Sequence, residues 1–232
     1  MNNIVALSWD MKILTKNQIA FLEKIKSSNF LVSNFYLTGG TALAAFYLKH
    51  RYSEDLDFFS ENELDILNLN IFFKKIKKDL KISKIDFQQS FNRNLFFLHF
   101  DNEILKTEFT YFPFTRIEVS KPYEGLQIDS LIDIAVNKLF TIYSRTKARD
   151  YIDLYCLCTE NNFQVKDLIK KARIKFDWHI DPIQLGTQFL KAKNATDYPR
   201  MITNLKDKDW HDFFAKEAKN LKQEIFLVKA NL

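Results

Sequence analysis

Scarcity narrows the reading first. The 232 residues include two cysteines, four glycines and four prolines. Cys156 and Cys158 lie two apart in a segment of helical pattern, where side chains at that spacing diverge. That argues against a disulfide or a metal clasp and for a reduced, cytoplasmic protein. No apolar run reaches the roughly 20 residues a bilayer demands, because Gly39-Gly40, charges or asparagines interrupt each one. No membrane partner is expected. The opening residues, MNNIVALSWDMK, lack a charged region leading into an apolar core and a small-residue cleavage site, so no secretory signal is expected either. There is no internal repeat and no low-complexity tract.

What is present is a globular composition. Apolar residues make up 47% of the chain, enough to fill the core of one large domain or two modest ones. The net charge of +5 and the pI near 9.0 come mostly from lysine, which suits an anionic partner and equally suits an ordinary lysine-rich surface.

The hydrophobic pattern divides the chain. LTKNQIAFLEKI (14–25) reads as an amphipathic helix with Thr15 as cap and Ile19, Phe21, Leu22 and Ile25 as its stripe. A short strand at 34–38, a helix at 41–50, a strand at 55–59 and a helix at 69–80 follow. Three further strands are predicted at 84–90, 94–100 and 103–112, the last two joined by a hairpin turn at Asp101-Asn102. From residue 130 onward almost everything has helical period. The boundary is therefore expected near 115–129, giving an α/β core over 1–120 and a helical domain over 121–232.

One stretch concentrates the chemistry: FYLTGGTALAAFYLKHRYSEDLDFFS, residues 35–60. A strand ending in Gly39-Gly40 and entering a helix at Thr41 leaves backbone N–H groups unpaired at the helix start. Glycine lets a ligand approach that backbone closely, so the turn is a candidate phosphate seat, with the Thr41 hydroxyl as an added donor. A plain tight turn explains the glycines as well. Asp55 and Asp57 sit two apart in a strand and so point the same way, about 6.6 Å apart along the chain. Adjacent carboxylates repel unless a cation is shared between them, and magnesium accepts one or two carboxylates with waters and phosphates. Two solvated acids at a strand end are the plain alternative. In EILKTEFTYF, alternation puts Lys106, Glu108 and Thr110 on one face, so Glu108 completes the set if its strand neighbours that of the aspartates. A solvated edge-strand face is the competing reading.

Taken in order, these residues resemble a known family. LTGGTALAAFYLKHRYSEDLDFF is similar to the Gly-Gly-Thr-Ala-Leu-Ala, His-Arg and Ser-x-Asp-Leu-Asp signature of the AbiEii/AbiGii family of abortive-infection and type IV toxin–antitoxin nucleotidyltransferases. DIAVNKL, with Asp133 and Lys138, and RTKARDYIDLY, with Arg145, Arg149, Asp150 and Asp153, resemble that family's third and fourth motifs. Arg149 stands where a lysine is also common. The resemblance covers about residues 34–155 and implies the α+β fold of DNA polymerase β-like enzymes, a mixed sheet flanked by helices, followed by a mostly helical C-terminal domain.

The resemblance also implies a mechanism. Asp55, Asp57 and Glu108 would hold Mg²⁺ or Mn²⁺ on a nucleoside triphosphate, and Glu108 would help deprotonate the attacking hydroxyl. Gly39, Gly40 and Thr41 would cradle outer phosphates, with Arg51 and Ser53 in the loop running past them. Lys138 would neutralise the triphosphate, and Arg145, Arg149, Asp150 and Asp153 would complete the nucleotide site. Lys138 and Asp150 join the three acids as candidate catalytic residues. GTP binding, a tRNA acceptor and a cognate antitoxin encoded nearby are further implications. A protein or aminoglycoside-like acceptor, a nucleotide sensor without turnover, and a metal-dependent phosphate hydrolase are the rival readings.

Overall fold

The computed structural model of the chain describes residues 12–230. Most of the opening stretch read above as lacking a secretory signal lies outside them. The chain divides into two compact units, one formed by residues up to 115 with 119–130, the other by 116–118 with 131 onward.

Among the described residues of the first unit, seven strands form one mixed sheet in the order β3-β4-β5-β2-β1-β7-β6. These are β1 (Tyr36–Thr38), β2 (Leu56–Ser60), β3 (Lys84–Ser90), β4 (Arg93–His99), β5 (Ile104–Tyr111), β6 (Lys121–Tyr123) and β7 (Leu126–Ile128). β2 runs parallel to β5 and β1 parallel to β7; the other neighbours are antiparallel. Burial alternates along β2, with Leu56 and Phe58 fully buried. Those side chains join an aromatic layer in which Phe58 stacks on Phe109 of β5 with ring centroids 5.0 Å apart, and Phe73 stacks on Phe96 of β4 at 3.8 Å. Helices α1 (Lys16–Lys26) and α4 (Ile66–Asp79) cover this face through Phe21, Phe72 and Phe73. The period-2 rule then sends Asp55 and Asp57 to the other face.

Local chemistry sets the ends of these elements. Thr15 accepts from the Gln18 backbone N–H while the Gln18 side chain accepts from Thr15 N–H, a reciprocal capping box that starts α1. Two features escaped the sequence reading. Ser28 caps a short helix, α2 (Asn29–Asn34), ahead of β1. The stretch taken as a boundary contains the β6–β7 hairpin, whose two-residue turn, Glu124-Gly125, has positive φ at both positions. β7 adds to β1, which places 119–130 in the first unit rather than at its border.

The second unit contains α5 (Leu131–Ser144), α6 (Ala148–Asn161), α7 (Val165–Phe176), α8 (Pro182–Leu190) and α9 (Asp207–Ala230), as the helical period predicts. Its core includes Tyr151, Phe189, Trp210 and Phe214, all fully buried. Cys156 and Cys158 are buried, and neither is in a disulfide. The expected class, a mixed sheet flanked by helices and followed by a helical region, is the class observed.

Candidate active site

The site begins on β2, where it lies between β1 and β5. Helix α3 (Gly39–Leu43) follows β1 directly and continues into a π-helical turn, Ala44–Leu48, closed by Lys49 in the left-handed region at φ 54°. Asp57 lies between two neighbours in the ladder, Thr38 of β1 and Glu108 of β5. The parallel β2–β5 pairing thus sets Glu108 beside Asp57, as the alternation of β5 required.

The glycines answer to the same geometry. Gly39 has φ +72°, and a Cβ there would collide with the Asp57 carboxylate. A Cβ on Gly40 would collide with the Arg51 guanidinium and press on Ser53 Oγ at 3.1 Å. Gly39-Gly40 is therefore a close approach of backbone to the acid strand on one side and to the Arg51–Ser53 loop on the other. Thr41 is fully buried, and its hydroxyl donates to the carbonyl of Asp55, tying the helix to the entry of β2. Arg51 is 3% exposed and donates from Nη1 to the Tyr52 carbonyl at 2.9 Å. Gln18 of α1 braces the following turn, donating to the carbonyls of Ser53 and Glu54 at 3.0 Å each.

Two cations enter the acid row. Lys106 Nζ lies 2.9 Å from Asp55 Oδ2. Arg93, from β4, donates to both oxygens of Glu108, at 2.6 and 2.5 Å, and Thr110 Oγ1 donates to Oε1 at 2.6 Å. Burial pushes the Glu108 carboxyl up, but Arg93 and Thr110 outweigh it and hold the group below its ordinary value. Glu108, expected as third metal ligand and base, thus has both oxygens engaged. Asp55, immediately ahead of β2, and Asp57, on β2, are two carboxylates, the number magnesium commonly takes, with Lys106 already on one oxygen of Asp55. Among the described residues no three His, Cys, Asp or Glu side chains converge on a metal-sized site.

The second unit carries its own charge cluster. Lys138 of α5 donates to Asp150 Oδ1 at 2.8 Å and pairs with Asp153 Oδ2 at 2.7 Å, both aspartates being fully buried on α6. Arg145 adds a hydrogen bond to Asp150 Oδ2 at 2.9 Å and keeps 47% of its side chain exposed. Arg149 is exposed. Asp133 lies apart from this group: it pairs with buried Lys175 at 2.6 Å and accepts from the backbone N–H of Ile117 and Glu118.

Residues 20–225 match the model of the nucleotidyl transferase AbiEii toxin family of type IV toxin–antitoxin systems. The chain belongs to that family. An uncharacterized protein of Aquifex aeolicus (strain VF5) is 29% identical over 172 residues, which cover 72% of this chain and 77% of that one. Among solved structures, JHP933 from Helicobacter pylori has a TM-score of 0.56 at 23% identity, covering 96% of this chain and 99% of that one. MenT4, a nucleotidyltransferase toxin from Mycobacterium tuberculosis H37Rv, has a TM-score of 0.52 at 12% identity, covering 89% and 84%. At such identities the two structures attest the fold. No helix among the described residues is long and apolar enough to cross a membrane.

In this AbiEii chain the sequence motifs name the acids and the glycines but not what they touch. Lys106 was legible as a same-face neighbour of Glu108, whereas its pairing with Asp55 required the β2–β5 register. Arg93 lies one residue before the predicted start of its strand, and no local pattern marks it. Gln18 sits inside an amphipathic stripe, where a buried polar residue reads as an exception.

Proposed function

We propose that this chain is a metal-dependent nucleotidyltransferase, the toxin of a type IV toxin–antitoxin pair, moving a nucleoside monophosphate from a nucleoside triphosphate to an RNA acceptor such as tRNA. The observation that carries this reading is the place of Asp57: opposite Glu108 in register, two residues after Asp55, and packed against the Gly39 turn. Mg²⁺ or Mn²⁺, when bound, supplies the charge that neutralises the triphosphate. Asp55 and Asp57 would hold that ion, and Gly39 and Gly40 would give phosphate oxygens access to backbone N–H groups. Arg51 and Ser53, packed on Gly40, shape the same turn. Thr41 positions Asp55 through its carbonyl. Lys138, Arg145, Arg149, Asp150 and Asp153 are proposed as nucleotide-binding on their resemblance to the family's third and fourth motifs.

In the transfer, an acceptor hydroxyl oxygen bonds to the α-phosphorus as the bond to the β-phosphate's bridging oxygen breaks. Pyrophosphate leaves with the electron pair, and the hydroxyl proton passes to solvent. The basic balance of the chain supports an RNA acceptor, and the type IV family implies an antitoxin. Incubation with labelled nucleoside triphosphates and total RNA tests the assignment: Asp57→Ala should lower transfer by at least about 10²-fold, the scale of losing a key electrostatic group. It should also relieve growth arrest on expression. Undiminished transfer by that variant would overturn the metal role, and label appearing on protein would replace RNA as acceptor.

A further inference from the structure

Asp55, Asp57 and Glu108 bring three carboxylates together at the β2–β5 pairing. They are not all open. Arg93 grips Glu108 with Nε on Oε1 and Nη2 on Oε2, the fork geometry that suits guanidinium to carboxylate. Glu108 is 5% exposed, whereas Arg93 keeps 54% of its side chain exposed. The acid is thus a buried anchor and the arginine a presented cation. Lys106 balances Asp55 in the same way, both side chains being 28% exposed.

A two-metal site uses its second ion to stabilise charge on the transferring phosphate and the attacking oxygen. That ion needs the third carboxylate as an open ligand, and here a guanidinium fills the place. We propose that this site takes a single divalent cation, on Asp55 and Asp57, and that Arg93 supplies the second positive charge. Its free N–H groups meet the negative charge that accumulates on the non-bridging α-phosphate oxygens as the acceptor oxygen bonds and pyrophosphate departs. Arginine suits that task because its planar fork binds phosphate bidentately and stays protonated. Arg93 is then a catalytic residue, and Glu108 is the positioning residue that aims it. The inference rests on the nucleotidyl-transfer reading above.

The test counts bound Mn²⁺ by electron paramagnetic resonance, with α,β-methylene analogues of the four nucleoside triphosphates tried in turn, alongside transfer kinetics. Wild type should bind one Mn²⁺ per chain. Arg93→Gln should gain a second, weaker Mn²⁺ on the released Glu108, with kcat lowered about 10²–10³-fold and KM for the nucleotide little changed. Arg93→Lys, which keeps charge but loses the fork, should recover part of kcat. Glu108→Gln, whose amide oxygen still accepts from Arg93, should remain more active than Arg93→Gln. Two Mn²⁺ on wild type, or unaltered kcat in Arg93→Gln with unchanged melting temperature, would overturn the role of Arg93 and leave the transferase reading standing. Mn²⁺ binding that survives Asp57→Asn would instead sink the metal assignment on which both rest.

Discussion

At the scale of single residues, two glycines with the same backbone geometry do different work. Gly39 and Gly125 both have positive φ, +72° and +88°, but a Cβ on Gly39 meets the Asp57 carboxylate while one on Gly125 meets nothing within 4 Å. Alanine at either position should cost about 1–2 kcal/mol for the left-handed backbone. Only Gly39→Ala should also displace Asp57. Gly39→Ala is expected to melt at the lower temperature because of that added clash, with transfer activity lost in it and kept in Gly125→Ala. Equal activity would show that the close approach to Asp57 has no catalytic consequence.

At the scale of elements, α5 and α6 are held to their surroundings by buried ions. Burial pushes the Asp133 carboxyl up, and the Lys175 hydrogen bond with the N–H groups of Ile117 and Glu118 more than reverses it. Asp150 is likewise raised by burial and held below its ordinary value by Lys138 and Arg145. A carboxyl whose folded value is depressed stabilises the fold fully above its unfolded value and loses that contribution as pH falls through the folded one. The urea midpoint followed by circular dichroism should therefore be flat from neutral pH to about pH 4 and fall below it, since unfolded Asp titrates near 3.9. A midpoint that holds or rises between pH 4 and 3 would contradict this. Elements were also what the sequence showed best. Strands β3, β4 and β5 follow from alternating aromatic and polar residues, and α5 to α9 from a helical period. The β6–β7 hairpin was missed because its strands have three residues each, too short for a period to register. The acid pair was legible because two carboxylates at strand spacing need a reason; Arg93, opposite Thr110 and diagonal to Glu108, was not, because cross-strand partners are fixed by register.

At the scale of the whole molecule, the division into units depends on that hairpin. Leu126 and Ile128 are fully buried, and β7 lies against β1, the strand that leads into the glycine turn. A fragment ending at Ser130 should therefore keep a stable first unit, whereas one ending at Ser120 should lose an inner strand and aggregate. Solubility and far-ultraviolet circular dichroism of the two fragments check this, and equal behaviour would assign residues 121–130 elsewhere. The parallel pairings that join β2 to β5 and β1 to β7 also give the chain a timetable. Lys106 reaches Asp55 across 51 positions, and Asp129 reaches Thr38 across 91. At about 5–20 residues per second, synthesis leaves roughly 3 to 10 seconds between the emergence of the aspartates and that of their partners on β5. For that interval the nascent chain carries Asp55 and Asp57 without Lys106 and Glu108, so the acid row cannot assemble until β5 has emerged.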